Sequence, residues 1–289
     1  MTEPRSLPER DPFSEDAIAM SQRRLITTEA EREVAAPWAS QLARDGYVVL
    51  ENQLKGDALA DAQAALDAIN AETRLGIYEF EGSRTRRGYN VVSKSRAFDE
   101  MAMHRGVLAI IETYFGEAPQ LSASMGMTLF AGQRAQPLHR DTGHYPLPWP
   151  RPPLEVNAIW ALDDFRETNG ATRFLPRSHQ IPGEARPSGD AQSATMPAGS
   201  VMMYDGSLWH GGGECTEPGP RRSVNHIYAR QWLRQQDNMY LSIPQQDVLA
   251  MPKVMQRLLG FWLYGFTLGV IDGRPPLDVL KERHRPTDD

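Results

Sequence analysis

The sequence holds one cysteine, Cys215, in 289 residues. A lone thiol cannot build an internal disulfide framework, so a reducing cytoplasm is the expected compartment. In its Gly-rich turn Cys215 reads as a bystander rather than a nucleophile. Long apolar runs are also missing. The most apolar stretch, Leu258 to Ile271, spans 14 residues and is broken by Gly260, Gly265 and Gly269. That is too short and too interrupted for a membrane span, so it is expected to pack against the body or a second subunit. A homodimer is therefore left open. Residues Glu3 to Glu15 are charged and carry no apolar core, so no secretory signal is expected. Positive charge is in short supply: 31 Lys and Arg against 37 Asp and Glu give a net charge of -6. Without a basic run the chain is a poor partner for nucleic acid. It also has no internal repeat.

What is present suffices for a full core, since 40% of residues are hydrophobic. Residues 1 to 35 are rich in Arg, Glu and Pro and read as a partly flexible arm. Residues 36–289 read as one domain. Trp38 and Leu42 suggest a short amphipathic helix, Gly46 to Leu50 a strand, and residues 56–71 and 105–115 two further helices. From Leu121 the pattern changes to short strands with turn signals: Met125 to Phe130, Leu154 to Leu162, Ala171 to Leu175, Ala198 to Tyr204 and Ser223 to Trp232. This predicts a mainly β domain with flanking helices, a jelly-roll core over about 121–235, and a C-terminal apolar segment at 254–280. Between the first two strands, Thr142 to Pro153 is too rich in proline for helix or central strand. It is stiff and aromatic, and suited to roofing a pocket.

The chemistry centres on Leu138-His139-Arg140-Asp141. On an extended strand His139 and Asp141 leave the same face. Taken alone, such a pair is more often a surface or hydrogen-bonded pair than a metal site. His139-Arg140-Asp141 also matches the start of a kinase catalytic loop. That motif needs Asn where this chain has Pro146, and no glycine-rich phosphate loop precedes it. With a second histidine the pair becomes a facial triad, which holds Fe(II) and leaves positions open for a co-substrate and O2. His210 is the candidate, delivered by the strand ending at Tyr204 into a turn whose Gly211, Gly212 and Gly213 admit a bulky molecule. Eleven residues on, Arg221, Ser223 and Asn225 share one strand face. A 2-oxoglutarate chelating the metal needs a forked cation for its far carboxylate, and Arg221 with the Ser223 hydroxyl suits that task. Arg222 faces the other way with Val224, His226 and Tyr228.

From about Gly46 to Leu280 the chain resembles the phytanoyl-CoA dioxygenase family of Fe(II)/2-oxoglutarate oxygenases. The resemblance rests on His139-x-Asp141, His210 and Arg221-x-Ser223. It extends to Gln136-Pro137-Leu138-His139, to Asn157 through Asp164, and to Asn169-Gly170-Ala171-Thr172 continuing to Ser178-His179. It implies a double-stranded β-helix, a cupin-like jelly roll. In the branch that tailors terpenoids and alkaloids, which Val270 to Pro275 also resembles, residues at the positions of Gln136 and Thr172 help bind 2-oxoglutarate. An Asp at position 141, where halogenating relatives carry a small residue, implies hydroxylation or a related C–H oxidation with release of succinate and CO2.

A small, largely apolar organic substrate is expected, with Tyr145, Trp149 and Trp160 as candidate contacts beside Met125 and Met127. Arg84, Arg86 and Arg87 read either as a solvated loop or as a grip on an anionic group. Of the other histidines, His104 and His284 read as surface, His179 as a structural hydrogen-bonder, and His226 as core or a support behind the metal ligands. His144, three past Asp141, is left open between loop surface and pocket wall, the surface reading being the commoner. Two rival readings keep the fold. One is a cupin-type isomerase or hydrolase using another metal, which has no need of Arg221 and Ser223. The other is a non-catalytic binding protein, against which the intact triad argues.

Overall fold

The computed structural model describes residues 25–184, 186–265 and 267–284. Most of the expected N-terminal arm, up to residue 24, lies outside the described residues, as does Phe266 of the apolar segment. The arm does not extend to residue 35, because the chain is already helical at Glu29. Helix α1, Glu29–Asp45, starts at a reciprocal cap in which Thr28 and Glu31 satisfy each other's backbone N–H. It ends where Gly46 takes φ 82 and donates to the Leu42 carbonyl at 2.8 Å. Its buried stripe is Ala35, Ala39 and Leu42, and Trp38 stays on the outer side.

Strand β1 (Tyr47–Leu50), helix α2 (Gly56–Glu72), strand β2 (Thr85–Tyr89) and helix α3 (Arg105–Phe115) follow. His104 is not a surface residue. Its Nδ1 accepts from the Val107 N–H and caps α3, and its ring meets Trp160 edge-on. Next come β3 (Pro119–Leu129), β4 (Glu155–Ala161), β5 (Arg173–Phe174), β6 (Gln192–Ser193), β7 (Val201–Asp205), β8 (His210–Gly211) and β9 (Arg221–Arg230). They form a six-stranded sheet in the order β1-β7-β4-β9-β3-β2 and a smaller sheet β6-β5-β8. Every pairing is antiparallel. The chain before β4 joins the small sheet through a bridge between His139 and His210. The result is the double-stranded β-helix, with helices on one side only.

Strand alternation divides the large sheet between two tasks. Val156, Ala158, Trp160, Val224 and Tyr228 face α1, α2 and α3 and form the main core. Ile159, Ala161, Met202 and Tyr204 face the small sheet, where they meet Phe165, Phe174 and Leu208. Trp160 is fully buried on the helical side, so the expectation that it contacts substrate is overturned by its register. The C-terminal apolar segment is not one element. After the short helix Lys253–Leu258 it runs as turns to helix α4, Pro276–Arg283, while Leu258, Leu259 and Phe261 enter the main core. Among the described residues no helix is long and apolar enough to cross a membrane.

Candidate active site

Between the two sheets lies a cavity of about 250 Å³. Its centre is His139, Asp141 and His210, whose ligand-type atoms all lie within 4.8 Å of one another. The bridge that ties His139 to β8 sets them side by side: His139 N–H donates to the His210 carbonyl at 2.8 Å, and His210 N–H returns the bond at 3.0 Å. Each imidazole is oriented by a backbone carbonyl. His139 Nδ1 lies 3.1 Å from the Pro137 carbonyl and His210 Nδ1 lies 2.9 Å from that of Leu208. Those acceptors place the ring proton on Nδ1 and leave Nε2 as a lone-pair donor. Both Nε2 atoms turn to Asp141, at 3.5 Å from Oδ1 and 3.4 Å from Oδ2.

Asp141 is held as an anion. Burial opposes its charge, yet the two imidazoles and the Tyr204 hydroxyl overcome that and hold its pKa down at about 2. Asn157 Nδ2 donates to Oδ2 at 2.9 Å, and Asn225 Nδ2 in turn donates to Asn157 Oδ1 at 2.8 Å. Tyr204 OH reaches the same Oδ2 at 3.3 Å and lies 3.1 Å from His210 Nε2. Burial lowers the pKa of His210. Burial also works against a charged His139, but Asp141 reverses the sign and raises its pKa. Two imidazole nitrogens and a carboxylate oxygen on one side, with open cavity on the other, are a donor set suited to Fe(II) with exchangeable positions.

The second feature is Arg221. Its guanidinium is buried and lines the same cavity. Nη1 donates to Ser223 Oγ at 3.0 Å, and Nη2 and Nε donate to the carbonyls of Gly170 and Asn169. The cation also lies 4.3 Å above the Phe165 ring. Among the described residues no carboxylate forms an ion pair with it, and burial lowers its pKa to about 10. Its neighbour Arg222 points outward, to Asp163 at 2.8 Å and Asp67 at 2.7 Å. Thr172 lines the cavity. Gln136 does too, but its amide is engaged at both ends. Nε2 donates to the Phe80 carbonyl and Oε1 accepts from Gly212 N–H, each at 2.8 Å.

The three candidate substrate contacts lie off the cavity wall. Besides Trp160, Tyr145 turns its hydroxyl to Glu155 Oε1 at 3.0 Å, and Trp149 is sandwiched by Arg151 at 3.4 Å and Arg140 at 4.0 Å. From the Thr142–Pro153 loop only His144 lines the cavity. The apolar wall comes from the expected Met125 and Met127 together with Phe80, Leu129, Ile159 and Ile227. Of the three clustered arginines only Arg87 lines it. The guanidinium approaches the sulfurs of Met125 and Met127 at 3.6 Å and the carbonyls of Glu81 and Phe80. Tyr204, Phe80 and Ile159 carry no motif, and only the strand register could have pointed to Tyr204 and Ile159. His179 is the structural hydrogen-bonder expected, with Nε2 3.1 Å from the Ala43 carbonyl. His226 is buried in the core, where its pKa is pushed down to about 3.

The sequence profile of the family described as phytanoyl-CoA dioxygenase (PhyH) matches residues 42–223, well over half of the chain. The chain belongs to the phytanoyl-CoA dioxygenase family. It is 29% identical over 247 residues to dioxygenase olcK of Penicillium canescens, covering 79% of this chain and 81% of that protein. It is equally 29% identical over 241 residues to dioxygenase trt7 of Aspergillus terreus, covering 77% and 82%. Solved structures of the same fold include the α-ketoglutarate-dependent epimerase SnoN of nogalamycin biosynthesis, at TM-score 0.60, 20% identity, and coverage of 69% and 84%. Another is EctD from S. alaskensis with bound Fe, at TM-score 0.58, 20% identity, and coverage of 73% and 82%. Family membership and fold together make this PhyH protein a 2-oxoglutarate-dependent dioxygenase.

Proposed function

We propose that this cavity oxidises a C–H bond of a small, largely apolar molecule, with Fe(II) on His139, Asp141 and His210 and 2-oxoglutarate anchored by Arg221 and Ser223. The observation that carries the reading is Arg221, a buried cation with no carboxylate partner among the described residues, opening into the same cavity as the triad. Burying a guanidinium is costly unless an anion completes it, and a dicarboxylate does so. When bound, iron and 2-oxoglutarate supply with O2 the oxidant, and the keto acid leaves as succinate and CO2.

The chain's own residues prepare that chemistry. The Pro137 and Leu208 carbonyls hold each histidine with Nε2 free. Asn157 and Tyr204 keep Asp141 aimed and anionic. Arg87 brings a second cation to the wall, and the methionine and isoleucine side chains exclude water around the reacting carbon. Thr172 supports the co-substrate end. Gln136 acts by positioning, because its amide ties the Phe80 loop to the strand that carries His210. The lone Cys215, buried and unpaired, supports a cytoplasmic setting. Exposed Val270 supports a homodimer through the C-terminal segment, which sedimentation would test.

The deciding experiment is anaerobic addition of Fe(II) and 2-oxoglutarate. A weak metal-to-ligand charge-transfer band is expected, absent in His210→Ala. Iron bound without that band would overturn the assignment. Succinate release then reads out a screen of apolar hydroxylated and acyl substrates.

A further inference from the structure

The cavity at the metal-binding group has a neighbour that shares one of its lining residues. Gln236, at one end of it, also lines a second cavity of about 230 Å³. Both open on the same face of the large sheet. Arg221, Asn225 and Ile227 of β9 line the first. Continuing by twos reaches Ala229, whose register partner on β3 is Gln120, and Gln120 lines the second. The outer walls are the stretch after β9, from Gln231 to Tyr240, and the turns between Arg257 and Gly269. Gly260 and Gly269 let those turns fold close, each at φ +91. A Cβ there would stand 2.6 Å from the Tyr240 hydroxyl or 2.7 Å from the Trp262 carbonyl.

Four glutamines, Gln120, Gln231, Gln235 and Gln236, dominate the polar lining of this second cavity, with Asp237 and Arg257 beside them. Gln120 Nε2 donates to the carbonyls of Arg230 and Leu233, at 3.0 and 2.6 Å. Gln231 donates to Pro119 at 3.3 Å, Gln235 to Leu121 at 2.8 Å, and Gln236 to Glu155 Oε1 at 3.1 Å. These bonds fix which way each amide faces. With each amide N–H directed to a protein acceptor, the four side-chain carbonyl oxygens are the ends turned away from those partners. The hydroxyls of Tyr240 and Tyr264 are already engaged as donors, to the Gly260 carbonyl and Glu117. Arg234 and Asn238 lie at the exposed outer edge, the buried Arg257 guanidinium lies 5.0 Å from the Trp262 ring, and Asp237 Oδ2 accepts from the Ser124 N–H at 3.2 Å. Trp262 and Leu268 supply apolar surface. A lining rich in fixed acceptors beside an aromatic ring calls for a ligand that brings several O–H or N–H groups on an apolar frame.

We infer that the second cavity is a subsite for the distal part of the substrate, a hydroxyl-bearing ring on an apolar skeleton whose other end reaches the triad past Gln236. The inference rests on the oxidase reading of the first cavity. The probe is phenyl β-D-glucopyranoside, with its tetra-O-methyl ether as the control that keeps the skeleton and removes every donor. Binding is measured by calorimetry and saturation-transfer NMR on the full chain loaded with Mn(II) and 2-oxoglutarate under nitrogen. The glucoside should bind and the ether should bind about tenfold more weakly or not at all. Gln235→Leu should weaken the glucoside about tenfold. Leu268→Trp, which fills the cavity from its exposed lip and removes no internal hydrogen bond, should block it. Equal binding of the ether, indifference to Leu268→Trp, or no glucoside binding while 2-oxoglutarate binds normally would overturn the subsite. Glucoside binding that keeps this pattern when 2-oxoglutarate does not bind would uphold the subsite and overturn the metal-site reading instead.

Discussion

Two adjacent arginines show how much one residue's direction decides. Arg221 is buried against Ser223 and the Gly170 carbonyl, whereas Arg222 pairs with Asp163 and Asp67 on the other face. A charge-assisted fork to a carboxylate contributes roughly 1.5–3 kcal/mol, or about ten- to a hundredfold in affinity. Arg221→Ala should weaken 2-oxoglutarate by about that much, with Lys a partial rescue because the fork is lost. Arg222→Ala should leave the affinity within about twofold. Calorimetry with Mn(II) under nitrogen ranks them, and the reverse order would refute the assignment. Glu155 gives a second residue-scale test. It is fully buried, its Oε2 has no hydrogen-bond partner among the described residues, and desolvation raises its pKa from 4.5 to about 7 despite bonds from Gln236 and Tyr145. The unfolded chain releases this proton near its ordinary pKa, while the folded chain keeps it to about 7. Stability should therefore fall as pH rises from about 4.5 to 7, by at most about 3 kcal/mol, and then level. Glu155→Gln should flatten that slope in melts of the metal-free protein from pH 5 to 8. An unchanged slope would mean that the group is already ionised in the fold.

At the scale of elements, β4 carries both tasks of the sheet on one strand. Trp160 lies in the helical core and Ile159 on the cavity wall. Trp160→Ala should cost about 3–5 kcal/mol of stability by leaving a core cavity. Its folded fraction should bind 2-oxoglutarate as the parent does, because the side chain never reaches the site. Weaker binding in that fraction would place Trp160 nearer the cavity than its register does. This strand also shows what the sequence could and could not convey. The alternation of Val156, Ala158, Trp160 and Leu162 was legible as one face, and so were the helices at 56–71 and 105–115. Which layer that face meets depends on partners far along the chain, and a large aromatic fits a core or a pocket equally well. The triad was legible only once His210 and the Arg221-Ser223 face joined the otherwise weak His139-x-Asp141 pair, and the Arg221 face because a polar row on one side of a strand needs a reason. The proline-rich loop misled for a physical cause. Arg140 and Arg151 clasp Trp149, and Glu155 takes the Tyr145 hydroxyl, so the loop's aromatics turn away from the cavity. Arg151 is a near neighbour of Trp149 in the chain, but nothing local shows that its guanidinium turns back onto the ring or that Arg140 closes the other face.

For the whole molecule, the fold and the ligand set are separable. Apolar faces hold the sheets and helices together, while His139, Asp141 and His210 close one small site between them. Removing metal with a chelator should leave the circular dichroism spectrum unchanged. Adding Mn(II) with 2-oxoglutarate at about a hundred times the dissociation constant should stabilise by about 2.7 kcal/mol, read as a rise in Tm. Unfolding on chelation would show instead that the metal is structural. The interleaving of helix-facing and cavity-facing residues along every central strand also has a consequence for how such a protein can change over evolutionary time. Inserting or deleting a single residue in β9 would exchange Arg221 with Arg222 and carry Tyr228 from the core to the cavity. Length changes are therefore tolerable only where no register is kept: near Phe80, between Thr142 and Pro153, after β9, and in the turns around Gly260. Those are the segments that contribute residues to the rims of the two cavities, so the parts of the chain most free to drift in length lie beside the ligand, while the metal-binding centre is locked by the same alternation that builds the core.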